Sequence, residues 1–262
     1  MEKPIWTIRR GQGPIVATAL HDGHEVRDEA LRLMALAEND RLREEDPFTG
    51  RLAEVAPTRV VGLRSRFEVD LNRAREGAVY RRPEDAWGLQ VWKGELPEVI
   101  AERSLANYDA FYAELEGLYR ELAEKHGRFL VLDLHSYNHR RTGAGGPPAN
   151  GLENPQVNIG TGTMPDRVQW ARVIDRFMEE LAGFDFPGGR LDVRENVKFR
   201  GRYLASFVHE HFPEKGCAIA IEVKKFYMDE WTGQADTRQI IALREVFRRG
   251  ARAILTVLSQ VA

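Results

Sequence analysis

The chain has one cysteine, Cys217, in 262 residues. No intramolecular disulfide can therefore form, and a reducing cytoplasm is the expected setting. Long apolar runs are missing as well. Nothing approaches the roughly eighteen residues of a membrane span, and the N-terminal "MEKPIWTIRRGQGP" has no apolar signal core. Charge of one sign is also lacking. Lys plus Arg is 38 against 40 for Asp plus Glu, a net of −2, so no global field argues for nucleic acid or an anionic membrane. No internal repeat or low-complexity linker interrupts the pattern. What remains is an ordinary globular composition, 43% hydrophobic and 30% charged. The length suffices for one domain, 1–262, with a sizeable core. Arginine far outnumbers lysine and clusters at 64–75, 81–82, 140–141 and 200–202. Codon bias with a solvated surface would produce the same excess; the alternative is a pocket for carboxylates, which guanidinium forks bind well.

Apolar patterning supplies the elements. "PIVATAL" (14–20) reads as a buried strand ending at His21, and 26–45 as an amphipathic helix broken by "EEDPFTG". Residues 58–73 are strand-like, and 75–97 form an irregular Gly-, Pro- and Trp-rich flap. A strong helix covers 104–126, stopped by Gly127, and "RFLVLDL" follows as a central strand covered on both faces. A long Gly/Pro loop follows. "QVNIGTG" is another short strand, and Pro165 opens a helix to about Leu181. "CAIAIEV" (217–223) is a second buried strand, and a helix over 238–258 closes the chain. Strands alternating with helices predict a single three-layer α/β/α domain around a mixed, mostly parallel sheet.

Ligands bind outside the carboxyl ends of such strands. The polar residues there are His21, Asp22, His24 and Glu25; then Arg66, Asp70, Asn72 and Arg73; then Asp133, His135, Tyr137 and His139; and Glu222 inside the last strand. A lone histidine after a strand is most often a satisfied hydrogen-bonding group. Two at strand ends, with carboxylates nearby, instead suit zinc, which takes three protein ligands and leaves one position open in hydrolytic sites. Such chemistry also needs a carboxylate that is not a ligand, and burial should raise Glu222 toward that use. Arg66 is a candidate to hold the oxyanion. Pairing of Glu222 with Lys224 or an arginine is the structural alternative. "NIGTGT" lacks the lysine and spacing of a P-loop and reads as a turn.

These residues carry a resemblance. "RFEVDLNR" resembles a segment of the zinc carboxypeptidase and aspartoacylase superfamily. "HDG", "LDLHS" and "AIEVKKFYMDE", in this order, resemble the N-formylglutamate amidohydrolase family within it. The match runs from about Leu20 to Glu230. It implies a zinc-carboxypeptidase-like fold with one Zn2+ per chain. His21 and His135 become ligands, Glu222 the general base, Arg66 the carbonyl clamp, and Asn72 with Arg73 the holders of a substrate carboxylate. The third ligand departs from the superfamily's spacing of histidine, two residues, glutamate. His24 keeps the spacing and Glu25 keeps the ligand type. Asp46 lies where the family carries an aspartate, which favours it; a turn residue before Pro47 is its structural alternative.

Tyr137, Arg140 and Arg202 are further candidates to bind substrate, with at most one of Arg140 and Arg141 facing the site. Tyr227 is expected to offer a hydroxyl to the substrate, while Asp229 and Glu230 cap or pair locally. The implied function is hydrolysis of an N-acyl, above all N-formyl, amino acid with carboxylates, such as N-formylglutamate. A metallocarboxypeptidase or a deacylase for larger acyl groups is the first alternative. A non-catalytic binding protein on the same fold is the second. The expected partner is that small molecule, with neither nucleic acid nor membrane, and nothing in the sequence sets an oligomeric state.

Overall fold

The computed structural model describes residues 4–258 and residue 260. Seven strands form one sheet: β1 (Trp6–Arg9), β2 (Ile15–Ala19), β3 (Thr58–Gly62), β4 (Phe129–Tyr137), β5 (Val157–Gly160), β6 (Val193–Glu195) and β7 (Gly216–Lys224), in the spatial order β1-β3-β2-β4-β7-β5-β6. The centre β3-β2-β4-β7 is parallel. Next to it, β1 runs antiparallel to β3 and β5 antiparallel to β7. The sheet is therefore mixed and mostly parallel.

Both faces are covered, which is why β2 and β4 read as continuous apolar runs. Alternation along each strand sorts its side chains. Leu130, Leu132, Leu134, Ile219 and Ile221 join the core under α5 (Ala171–Ala182) and α7 (Thr237–Leu258). Val16, Val131 and Ala218 join the core under α4 (Glu98–His126) and α6 (Tyr203–His211). Tyr108, Phe111, Leu115, Leu118 and Leu122 form the buried stripe of α4. Burying each such side chain contributes about 1.5–3 kcal/mol. Gly127, at φ 74, ends that helix in a conformation that disfavours other residues.

Several expectations need correction. Residues 26–45 are two short helices, α1 (Asp28–Leu33) and α2 (Glu38–Glu44), rather than one. The break arises because Met34 bridges Trp92 and Ala35 N–H bonds Val91 O at 2.8 Å, so tertiary pairing overrides local helix propensity. The strand expected over 58–73 ends at Gly62, and α5 starts six residues after Pro165. Ahead of α5, Asp166 turns the chain by accepting the Val168 and Gln169 N–H groups. The sequence reading did not identify β1, β6, α6 or the short α3 (Thr49–Leu52), all of nine residues or fewer. The 75–97 flap is irregular, with a small core of its own around Phe67, Tyr80 and Trp92.

Candidate active site

Period two along the strands puts Asp133, His135 and Glu222 on the same face of the sheet, and His135 is the direct neighbour of Glu222 across β4 and β7. His21 follows β2, its loop pressed against the end of β3. There a Cβ on Gly23 would fall 2.1 Å from the Leu63 carbonyl carbon, so only glycine fits in "HDG". Asp46 lies between α2 and α3, its N–H bonded to His21 O at 2.8 Å. His21, Asp46 and His135, far apart in sequence and all buried, therefore meet with donor atoms within 4.8 Å of one another.

The three residues are close enough together to hold a cation. His135 Nδ1 is 3.1 Å from Asp46 Oδ2, and His21 Nδ1 stands 3.3 Å from the same oxygen. Each ring's other nitrogen faces a second carboxylate: His21 Nε2 is 2.7 Å from Asp70 Oδ1, and His135 Nε2 is 3.0 Å from Asp133 Oδ2. At His21 that carboxylate favours a proton on Nε2 and leaves Nδ1 for a metal; at His135 the Asn72 amide nitrogen, also 3.0 Å from Nε2, shares the position with Asp133. Asp133 is anchored by the Thr18 hydroxyl at 2.6 Å, and the triad's own Asp46 by the Ser136 hydroxyl at 3.0 Å. His21 Nδ1 is buried without a hydrogen bond, an orphan that a bound cation would satisfy. Burial alone would raise the Asp46 carboxyl, but the facing imidazoles of His135 and His21 hold it well below the usual range. Two imidazoles and one carboxylate thus fit a divalent metal.

The triad is the floor of a cavity of about 90 Å³, lined also by Arg66, Asn72, Trp87, Ser136, Tyr137, Phe199 and Glu222. Burial lifts the Glu222 carboxyl to about 7, and among the described residues it has no hydrogen-bond or ion-pair partner. Lys224 does not pair with it. Arg66 is fixed by Asp70 at 2.7 Å and by the Tyr80 hydroxyl at 3.3 Å, and its guanidinium lies 4.8 Å from the Trp87 ring.

Of the other expected residues, Asn72 is in the cavity wall, its Oδ1 accepting Leu204 N–H at 2.9 Å. Arg73 is outside that wall: it donates to Asp85 O at 3.0 Å and packs 5.0 Å from Tyr80. Tyr137 presents its ring to the cavity, while its hydroxyl is bonded to Pro155 O. Arg202 lines the cavity, and so does Arg141; Arg140 instead lines a separate hollow with Asp229 and Arg238. His24 is bonded to Glu45, and Glu25 bridges Arg64, so neither joins the triad. Tyr227 is corrected outright. Its hydroxyl donates to Pro47 O at 3.0 Å, and the residue is fully buried.

The N-formylglutamate amidohydrolase family profile matches residues 13–228. The chain belongs to the N-formylglutamate amidohydrolase family. The crystal structure of an N-formylglutamate amidohydrolase from Ralstonia eutropha JMP134 aligns with TM-score 0.73 at 18% identity, over 98% of this chain and 97% of that one. A gene product of Agrobacterium tumefaciens aligns with TM-score 0.69 at 15% identity, over 97% and 96%. A metallo-carboxypeptidase from Burkholderia cenocepacia aligns at TM-score 0.40 and 14% identity, over 93% and 56%. No protein of curated function matches. As a member of this family the chain is a hydrolase acting on amides, and among the described residues no helix is long and apolar enough to cross a membrane.

Sequence reasoning gave no role to Asp70, Asp133, Tyr80, Trp87 or Lys225. Asp133 had a readable signal, an aspartate inside an apolar strand two residues before His135. Lys225 had one too, directly after the base strand. Tyr80 and Trp87 had none, since their placement depends on how the flap folds.

Proposed function

We propose that this family member is a zinc-dependent amidohydrolase that removes the formyl group from an N-formyl amino acid carrying carboxylates, such as N-formylglutamate. The observation that carries the reading is the buried, unpartnered Glu222 carboxylate in the same cavity as the His21–Asp46–His135 triad. Those three residues would hold the metal, and a set of two nitrogens and one oxygen suits zinc. When bound, the metal supplies Lewis acidity to the acyl carbonyl and acidifies an attacking water. Glu222 takes the proton of that water and passes it to the departing amine nitrogen. Arg66, braced by Asp70 and Tyr80, offers its guanidinium to the oxyanion. Trp87 and Phe199 limit the inner space, which favours a small acyl group over a bulky one. Arg141 and Arg202, with no ion-pair partner among the described residues, are the groups for the substrate's carboxylates.

The test is hydrolysis of N-formyl-, N-acetyl- and N-succinylglutamate and N-formyl-leucine by zinc-loaded protein. N-formylglutamate should lead, and by about 10–100-fold over N-formyl-leucine, the worth of a charged hydrogen-bonded contact. Removal of metal by a chelator should abolish turnover, and zinc should restore it. Equal use of formyl-leucine would refute the carboxylate assignment. Full activity after metal removal would refute the mechanism.

A further inference from the structure

The segment after the base strand has no role in the chemistry above, although Lys225 lines the cavity, and it grips two pieces of the site. Lys225 is 1% exposed, and its Nζ donates to Arg43 O at 2.6 Å and Glu45 O at 2.7 Å. These carbonyls lie at the C-terminal end of α2, where they lack helical partners and a cation is favoured. The Tyr227 hydroxyl donates to Pro47 O at 3.0 Å. The carbonyls of residues 43, 45 and 47, on either side of Asp46, are thus tied to β7 by two side chains. Arg43 adds a contact, its guanidinium 4.0 Å over the Trp231 ring.

The far end of the segment touches Arg43 as well, Glu230 standing 4.0 Å from its guanidinium, but its hydrogen bonds go to a different loop. Glu230, 3% exposed, accepts the His139 N–H at 2.8 Å and the Arg140 N–H at 2.7 Å. Trp231 Nε1 donates to Arg140 O at 3.0 Å. Both peptide groups of Arg140 are therefore fixed immediately before Arg141, which lines the cavity. Glu230 was expected to pair locally; instead it reaches 90 residues back along the chain. Asp229 does cap locally, on the Trp231 and Thr232 N–H groups.

We infer that Lys225–Trp231 is a buckle with two separable duties: Lys225 and Tyr227 position Asp46 for metal, and Glu230 and Trp231 aim Arg141 at the substrate. They are positioning residues because their polar atoms are spent on the backbone: even Lys225, which lines the cavity, donates its Nζ to two carbonyls. Only the Arg141 duty rests on the proposed substrate; the metal duty is read without one.

The test measures zinc affinity of metal-free protein by competition with a chromophoric chelator, then KM and kcat on N-formylglutamate. Lys225→Met keeps the side chain's bulk but leaves two carbonyls without a donor. It should weaken zinc binding about 10–100-fold, the usual effect of losing support behind a ligand. Lys225→Arg should recover part of that loss. Tyr227→Phe, which deletes one hydroxyl, should show a smaller loss and carries this arm if Lys225→Met fails to fold. Glu230→Gln can serve only one of the two N–H groups. It should raise KM severalfold, leave zinc affinity unchanged, and add nothing on top of Arg141→Ala, as expected for residues in one unit. Wild-type zinc affinity in both Lys225→Met and Tyr227→Phe overturns the metal duty. Unchanged KM in Glu230→Gln, or a zinc loss equal to that of Lys225→Met, overturns the division. Wild-type protein that takes up no zinc overturns the functional reading and the metal duty together.

Discussion

The floor of the cavity and its rim hold charge in different ways. On the floor, His21, Asp46 and His135 are at most 3% exposed, and each is braced by a further side chain or backbone group. At the rim, Arg141, Arg202 and the nearby Lys198 are exposed and have no ion-pair partner among the described residues. A preorganised floor can stabilise charge that develops during reaction, because its dipoles need no reorganisation. A loose, hydrated rim can only attract and orient what arrives charged. Floor substitutions should therefore act on kcat or on metal, and rim substitutions on KM.

The largest effect is expected at Glu222. Glu222→Gln should lower kcat about 10²–10⁴-fold, the span of general acid–base catalysis, with zinc retained. Turnover near the wild-type rate would remove Glu222 as the base. The sign of the pH dependence follows from burial. The carboxyl titrates at about 7 and is useful as a base only when ionised, so kcat/KM should rise with pH and level off above that value. A bound cation lowers the titration, moving the rising limb to more acid pH. In metal-free protein the same shift, from 4.5 to about 7, opposes folding: Glu222's contribution is whole below 4.5 and is lost as pH rises through 7. Glu222→Gln should accordingly melt higher than wild type at pH above 7 when no metal is bound.

One step below is Asp133, which stands 3.0 Å from His135 Nε2 and is not itself among the cavity-lining residues. Asp133→Asn should weaken zinc binding about 10–100-fold, measured by chelator competition. Unchanged affinity would mean that His135 needs no outer carboxylate, and that the floor is less preorganised than its distances indicate.

The floor was also the legible part of the sequence. His21, His135 and Glu222 follow or end apolar runs, so period and polarity mark them before any fold is known. Asp46 is different: it lies in a break between two helices, and only a resemblance favoured it over His24 and Glu25. Its place depends on carbonyls caught by Lys225 and Tyr227 some 180 residues away, a contact that no local pattern encodes. At the rim the sequence could place one of two arginines at the cavity but not say which, for a related reason. Arg140 and Arg141 are adjacent and chemically equal; which of them enters the cavity is set by Glu230 and Trp231 gripping the Arg140 backbone. In the fold, long buried strands and α4 were readable, whereas the break between α1 and α2 came from pairing with the flap.

The rim should respond more weakly and in a different parameter. Arg141→Ala and Arg202→Ala should each raise KM about tenfold, near the lower end of a charged hydrogen bond in exposed surroundings, with kcat held within about twofold. A fall in kcat at constant KM would move either residue from the rim to the reacting centre.

The smallest effect separates the two regions without any mutation. Exposed charges are screened over a Debye length that shrinks from roughly 10 Å at 0.1 M salt to 3 Å at 1 M, while buried pairs are screened far less. Raising sodium chloride through that range should increase KM for N-formylglutamate about two- to threefold and leave kcat nearly constant, because the rim attracts through water and the floor does not. The increase should shrink in Arg141→Ala, where one attracting charge is already gone. If kcat falls with salt while KM stays level, the charges that matter to the chemistry are hydrated, and the floor is open to solvent in a way that 2% exposure at His21 and Asp46 does not allow.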